Sequence, residues 1–190
     1  MPPMYMFPAS GVVMLGFALL IVTWHSYIAV APFPPAPIGS PALVTAMAPA
    51  SRVTVASMLL YYIFLFVQTS TAFFTNTKAK EAAAARGDKA PSFRSIKYSN
   101  ATNSGAVLRA DRTVGNYLEQ LPPFLVSLWL YAFYVSAPGA ESVGYAWLAA
   151  RALYPFVFSK GVPYLFLSTF PAYGFIWYML FKVFTATLTL

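Results

Sequence analysis

Thr113-Val-Gly-Asn116-Tyr-Leu-Glu119-Gln-Leu-Pro122-Pro-Phe124-Leu-Val-Ser-Leu128-Trp-Leu-Tyr-Ala-Phe-Tyr134 is the stretch on which the fold turns. It is apolar apart from its first two turns, carries the single charge of Glu119, and is long enough as a helix to cross a hydrocarbon core about 30 Å thick. Arg112, Asn116 and Glu119 are spaced by four and three residues, so they share one helical face and form a polar stripe. Pro122 and Pro123 have no N–H for the carbonyls of Leu118 and Glu119, which predicts a bend directly after the stripe.

Working outward, four more apolar runs predict four more crossings: Gly11 to Ala31, Val53 to Phe74, Val143 to Phe158 and Val162 to Thr185. The first resembles a signal peptide but lacks a preceding Lys or Arg, so it reads as a retained span. Residues 1–31 are thus an extra N-terminal helix, 32–52 a Pro-rich linker, and 53–190 the main membrane domain, with a basic loop over 77–112. From Lys78 to Arg112 there are eight basic and three acidic residues, a local net charge of +5, which predicts a cytoplasmic or equivalent side for this loop. Asn100-Ala101-Thr102 fits a glycosylation acceptor that this topology keeps bare. Gly87-Asp88 should stop the helix running out of the second span, and Gly161 with Pro163 should separate the last two.

Composition agrees with an all-α membrane protein: 59% of residues are hydrophobic and 9% charged, too few charges to cover a water-facing surface. With no cysteine, the single His25 and five acidic residues, there is little from which to build a metal centre or a Ser-His-Asp site, so no metal is expected. The net charge of +7 suits anionic headgroups better than nucleic acid, and no nucleic-acid partner is expected. One buried acid and no polar repeat leave little of a conducting path for a channel or transporter. Trp24-His25 fits an interfacial belt, while Tyr61, Tyr62, Phe64, Phe66 and the aromatics from Tyr173 to Phe184 suit lipid-facing and interhelical surfaces.

Ionisable side chains are costly inside hydrocarbon, so Glu119 and Arg151 mark the places to look for function. Arg151 and Tyr154 share a face of the fourth span, and packed against the Arg112 stripe they would form a small polar pocket. Two alternatives stand on spacing alone. The groups could hold an anionic or zwitterionic ligand, or Glu119 could pair with Arg151 or Arg112 to neutralise charge and fix register.

The run from Arg112 to Trp129, with Arg, Asn, Glu, Pro and Phe at these intervals, resembles the second-helix signature of the MAPEG family, membrane-associated proteins in eicosanoid and glutathione metabolism. Arg151-Ala-Leu-Tyr154 is similar to its third-helix element, and Gly161-Val-Pro163-Tyr164-Leu165 to the turn that opens its fourth helix. The resemblance covers roughly Pro41 to Phe184. It implies a four-helix transmembrane bundle, commonly a homotrimer, to which Gly11 to Ala31 adds one N-terminal transmembrane helix. It further implies glutathione as cofactor: Arg112 on a carboxylate, Asn116 on the peptide backbone, Glu119 on the amino group, and Arg151 and Tyr154 on further polar atoms. An endoplasmic reticulum or other organellar membrane, mitochondrial or plastid, is the expected location, with membrane lipids and further copies or other membrane subunits as partners.

Departures from the family pattern divide the expected function. Leu165-Phe166-Leu167 stands where catalytic relatives carry an arginine suited to a thiolate, and Phe158 replaces a tyrosine. Lys160 lies nearby but before the helix start. A glutathione-dependent transferase or peroxidase acting on lipophilic electrophiles is one expectation. A non-catalytic structural or lipid-binding subunit of a larger organellar membrane complex, recruited through the added helix, is the other. No catalytic residue is assigned.

Overall fold

The computed structural model describes residues 41–98 and 105–188. The predicted first span Gly11 to Ala31, Trp24-His25, the start of the linker and Asn100 lie outside the described residues. Contacts divide the chain into units 1–43 and 44–190, and the second holds the bundle. Its elements are α1 (Pro41–Arg86), the short α2 (Phe93–Tyr98), α3 (Gly105–Tyr134), α4 (Ala137–Ala152), α5 (Tyr154–Phe158) and α6 (Val162–Thr187).

The helix α1 has 46 residues, about 70 Å at 1.5 Å per residue, more than twice the thickness of a hydrocarbon core. It corrects the linker of 32–52, because the helix is already formed at Pro41 and runs through Pro49. A proline fits a first turn without loss, and one interior proline forfeits a single ladder bond that the turns on either side withstand. At its far end the helix stops where Gly87 was expected to stop it. Gly87 has φ 72°, its N–H donates to the Ala84 carbonyl at 3.2 Å, and the Asp88 N–H donates to Ala83 at 2.9 Å. These are the two bonds of a Schellman motif, which requires the left-handed conformation glycine adopts without cost.

Prolines bear on two further elements. The helix α3 continues through Pro122 and Pro123 from Gly105 to Tyr134. The fourth span, by contrast, is not one run from Val143 to Phe158. Its first part, α4, starts at Ala137 behind the Ser136 cap, whose hydroxyl accepts the Gly139 N–H at 3.1 Å. It ends at Ala152, because Pro155 cannot continue the ladder and opens α5 instead. Gly161, with φ 96°, then separates α5 from α6, and Pro163 occupies the first turn of α6 as expected.

The core forms where α1, α3 and α4 meet. Trp147 stacks on Phe124 with ring centres 3.8 Å apart and tilts against Tyr117 at 5.5 Å, while Phe64 meets Tyr117 edge-on. Tyr117 reaches across to donate its hydroxyl to the Ser57 carbonyl at 2.7 Å. Tyr61 also packs on Tyr117, so Tyr61 and Phe64 are interhelical, whereas Tyr62 and Phe66 face outward. α1 packs tightly on α4 at Gly144, where an added Cβ would come within 2.5 Å of Val53. One turn away the guanidinium of Arg52 grips the Glu141 carboxylate through two bonds of 2.7 and 2.9 Å. Those bonds hold the Glu141 carboxyl below the usual carboxylate range.

Val55, Leu59, Tyr62, Ile63 and Phe66 on α1, with Leu167, Phe170, Trp177 and Phe181 on α6, leave large apolar side chains exposed along both helices. Among the described residues, Val44–Arg86 and Pro163–Thr187 are long and apolar enough to cross a membrane. Apolar surface on this scale needs lipid or protein as its solvent.

Candidate functional site

Three of the five site residues identified in the sequence come together. Arg151 on α4 is completely buried, donates through Nη2 to the Asn116 side-chain oxygen, and holds its guanidinium carbon 4.8 Å above the Tyr154 ring. The break at Leu153 places Tyr154 at the start of α5, and Phe158 stacks beside it at 5.7 Å. With its oxygen engaged by Arg151, Asn116 is half-buried and has its amide N–H groups to offer.

Arg112 and Glu119 lie differently. Both are exposed, one turn to either side of Asn116, and both are near enough to Tyr154 to act on it through their charges. Among the described residues the ion pairs are Arg52–Glu141 and Arg86–Asp88. Neither Glu119 nor Arg151 belongs to one of these, although Glu119 is near enough to Arg151 to act on it through its charge. The stripe therefore presents a cation, an amide and an anion in order, along about 10 Å of helix at 1.5 Å per residue.

Behind the stripe the pairing is incomplete. Among the described residues, Nε and Nη1 of Arg151, both amide atoms of Gln120 and the Trp147 indole N–H have no hydrogen-bond partner although buried. Unpaired buried donors are costly, most of all on a charged group. Gln120 was missed in the sequence. It sits between Tyr117 and Phe124, the two α3 residues that touch Trp147, and four residues after Asn116; that spacing from Asn116 was the available signal.

The fourth-helix start lacks a cation. Leu165 is half-buried, while Phe166 and Leu167 are exposed, and Phe166 stacks on Phe170 at 4.5 Å. The Lys160 ammonium is 5.7 Å from the centre of the Tyr164 ring, at the edge of the turn. Among the described residues no group of His, Cys, Asp and Glu is arranged to hold a metal ion.

These helices, with apolar exteriors and a polar stripe at one end, define an all-helical integral membrane protein. The MAPEG family model matches residues 51–185, most of the chain, from within α1 to the last turn of α6. The chain belongs to the MAPEG family, the membrane proteins of eicosanoid and glutathione metabolism. No curated protein and no solved structure matches it.

Proposed function

We propose that the protein binds glutathione along α3, with Arg112 on a carboxylate, Asn116 on the peptide backbone and Glu119 on the amino group. The observation that carries this is the buried guanidinium of Arg151, which forms no ion pair among the described residues and ends on the Asn116 oxygen. Held in this way, Asn116 becomes a fixed donor over a positive charge that water does not screen, a favourable setting for an anionic ligand. Length agrees as well. An extended tripeptide spans about 10 Å, the reach of the stripe, and glutathione has the required zwitterionic ends. Arg151 and Tyr154 support the ligand from beneath.

Within this proposal the chemistry is thiol transfer or peroxide reduction on lipophilic substrates, and it is slow. Stabilising a thiolate needs positive charge aimed at the sulfur, and Leu165-Phe166-Leu167 supplies none. A second proposal, that the bundle serves as a non-catalytic subunit of a larger organellar membrane assembly, is favoured by the exposed Phe166, Leu167 and Phe170. Residues 1–31 would then add a docking helix, with the basic segment on the cytoplasmic or equivalent side. Equilibrium binding to the purified full chain at millimolar glutathione separates the two. Binding that is lost in Arg112→Ala and Glu119→Ala, accompanied by slow conjugation to an electrophilic aryl halide, supports the first. No binding, with co-migration of other subunits after mild detergent extraction, supports the second.

A further inference from the structure

About a quarter-turn around α3 from the polar stripe, a groove of about 470 Å³ opens between α1, the first turns of α3 and α5. Leu60, Ile63, Val67 and Thr71 line it on α1, Phe156 on α5 and Arg109 on α3. From Leu60 to Thr71 it follows α1 for about 16 Å at 1.5 Å per residue, close to the depth of one leaflet of a 30 Å hydrocarbon core. Arg109 belongs to the basic segment, one turn before the apolar run that starts at Thr113, so the cation lies at the headgroup end of the trough.

Arg109 is also unneutralised. No carboxylate pairs with it among the described residues, and nearby Asp111 accepts from the Gln68 amide at 2.8 Å. Two of the hydroxyls that line the groove are occupied: Thr113 donates to the Arg109 carbonyl and Ser159 to the Phe156 carbonyl, each at 2.7 Å. What the groove offers is one guanidinium above an apolar channel, the complement of an anionic headgroup carrying a chain. Residues 1–40 contain no Asp or Glu and therefore hold no carboxylate that would neutralise the cation.

We infer that this groove seats an acyl chain of an anionic phospholipid whose phosphate is bound by Arg109. The inference rests on membrane embedding and on the groove, and is independent of glutathione. Native mass spectrometry of the detergent-solubilised full chain, titrated with phosphatidylglycerol and phosphatidylcholine of identical acyl chains, tests it. Wild type is expected to retain phosphatidylglycerol about fivefold better, the effect of one arginine near an anionic headgroup. Arg109→Gln should bring the ratio to about one, while Arg109→Lys and the control Lys78→Gln keep it. Val67→Trp, which fills the channel, should reduce retention of both lipids and leave glutathione binding unchanged. A wild-type ratio near one, an Arg109→Gln variant that keeps the preference, or equal loss in Lys78→Gln would overturn the inference. So would a Val67→Trp variant that changes the oligomeric state with lipid retention intact, because the groove would then be an interface between copies of the chain.

Discussion

Arg52 and Arg151 tie α4 to different neighbours at two levels, Arg52 from α1 and Arg151 through Asn116 of α3, and they are treated in opposite ways. Arg52 on α1 is largely exposed and meets Glu141 of α4 with both arms of its guanidinium. Arg151 lies about 15 Å further along α4 at 1.5 Å per residue, fully buried, with one neutral acceptor and two unpartnered nitrogens. Hydrocarbon and burial make the second arrangement far more costly than the first. The level of Arg52 therefore looks built for cohesion, with Val53 pressed onto Gly144 beside the ion pair. The level of Arg151 forgoes cohesion, and in the proposed function its charge serves the ligand.

The contrast can be broken most forcefully at Gly144. Gly144→Leu drives a side chain into Val53 and Leu128, and should cost about 3 kcal/mol, at the upper end for overpacking, read as a fall in thermal unfolding temperature. The folded fraction should still bind glutathione; loss of binding without loss of stability would erase the distinction between the levels.

Next in size is the double substitution Arg151→Met with Asn116→Leu. Replacing a buried charge and its partner by apolar side chains of similar volume is often neutral or stabilising by about 1–4 kcal/mol. Unfolding should accordingly shift little or upward, while glutathione affinity falls at least about tenfold, the effect of one charge-assisted hydrogen bond. A strongly destabilised variant would make Arg151 a structural residue like Arg52.

Glu119→Leu sharpens the same point. Because Glu119 is exposed and outside the ion pairs among the described residues, the variant should insert and assemble normally, yet bind no glutathione. Failure to assemble, seen by size-exclusion chromatography, would assign Glu119 to an ion pair between copies.

The smallest effect concerns pH. The Glu141 carboxyl lies below its unfolded value near 4.3 because of Arg52. A lowered folded value means that its contribution is complete above the unfolded value and disappears as pH falls through the folded one. Between those limits, wild type should lose the slight stability advantage it holds over Glu141→Gln, whereas Gly144→Leu should stay equally impaired throughout.

How much of this was legible in the sequence depends on whether the signal was local. Gly87, Gly161 and Pro163 act through their own backbone angles, so the ends they set fall where expected. Pro155 was noticed, but whether a proline bends or breaks a helix depends on the packing around it, and here α4 ends while α3 continues as one helix through two prolines. The α1 surface is apolar on every side, so period alone could not separate the inward Tyr61 and Phe64 from the outward Tyr62 and Phe66. Spacing put Arg112, Asn116 and Glu119 on one face and Arg151 with Tyr154 on another. That Asn116 turns to Arg151 while Arg112 and Glu119 remain on the outer surface depends on how two helices are rotated against each other. Gln120 was hidden for the same reason, and the Arg109 groove needs three helices in place before it exists.

The most direct measurement is of the arginines themselves. With arginine labelled in the side-chain nitrogens and each Nε resonance assigned by Arg→Lys substitution, glutathione can be titrated into the full chain. The expected result is that Arg112 and Arg151 shift together and saturate with the same affinity, while Arg52 stays fixed in its bond to Glu141. Glutathione that leaves Arg112 and Arg151 unmoved, or moves Arg52 equally, would contradict the assignment of the Arg151 level as the ligand site.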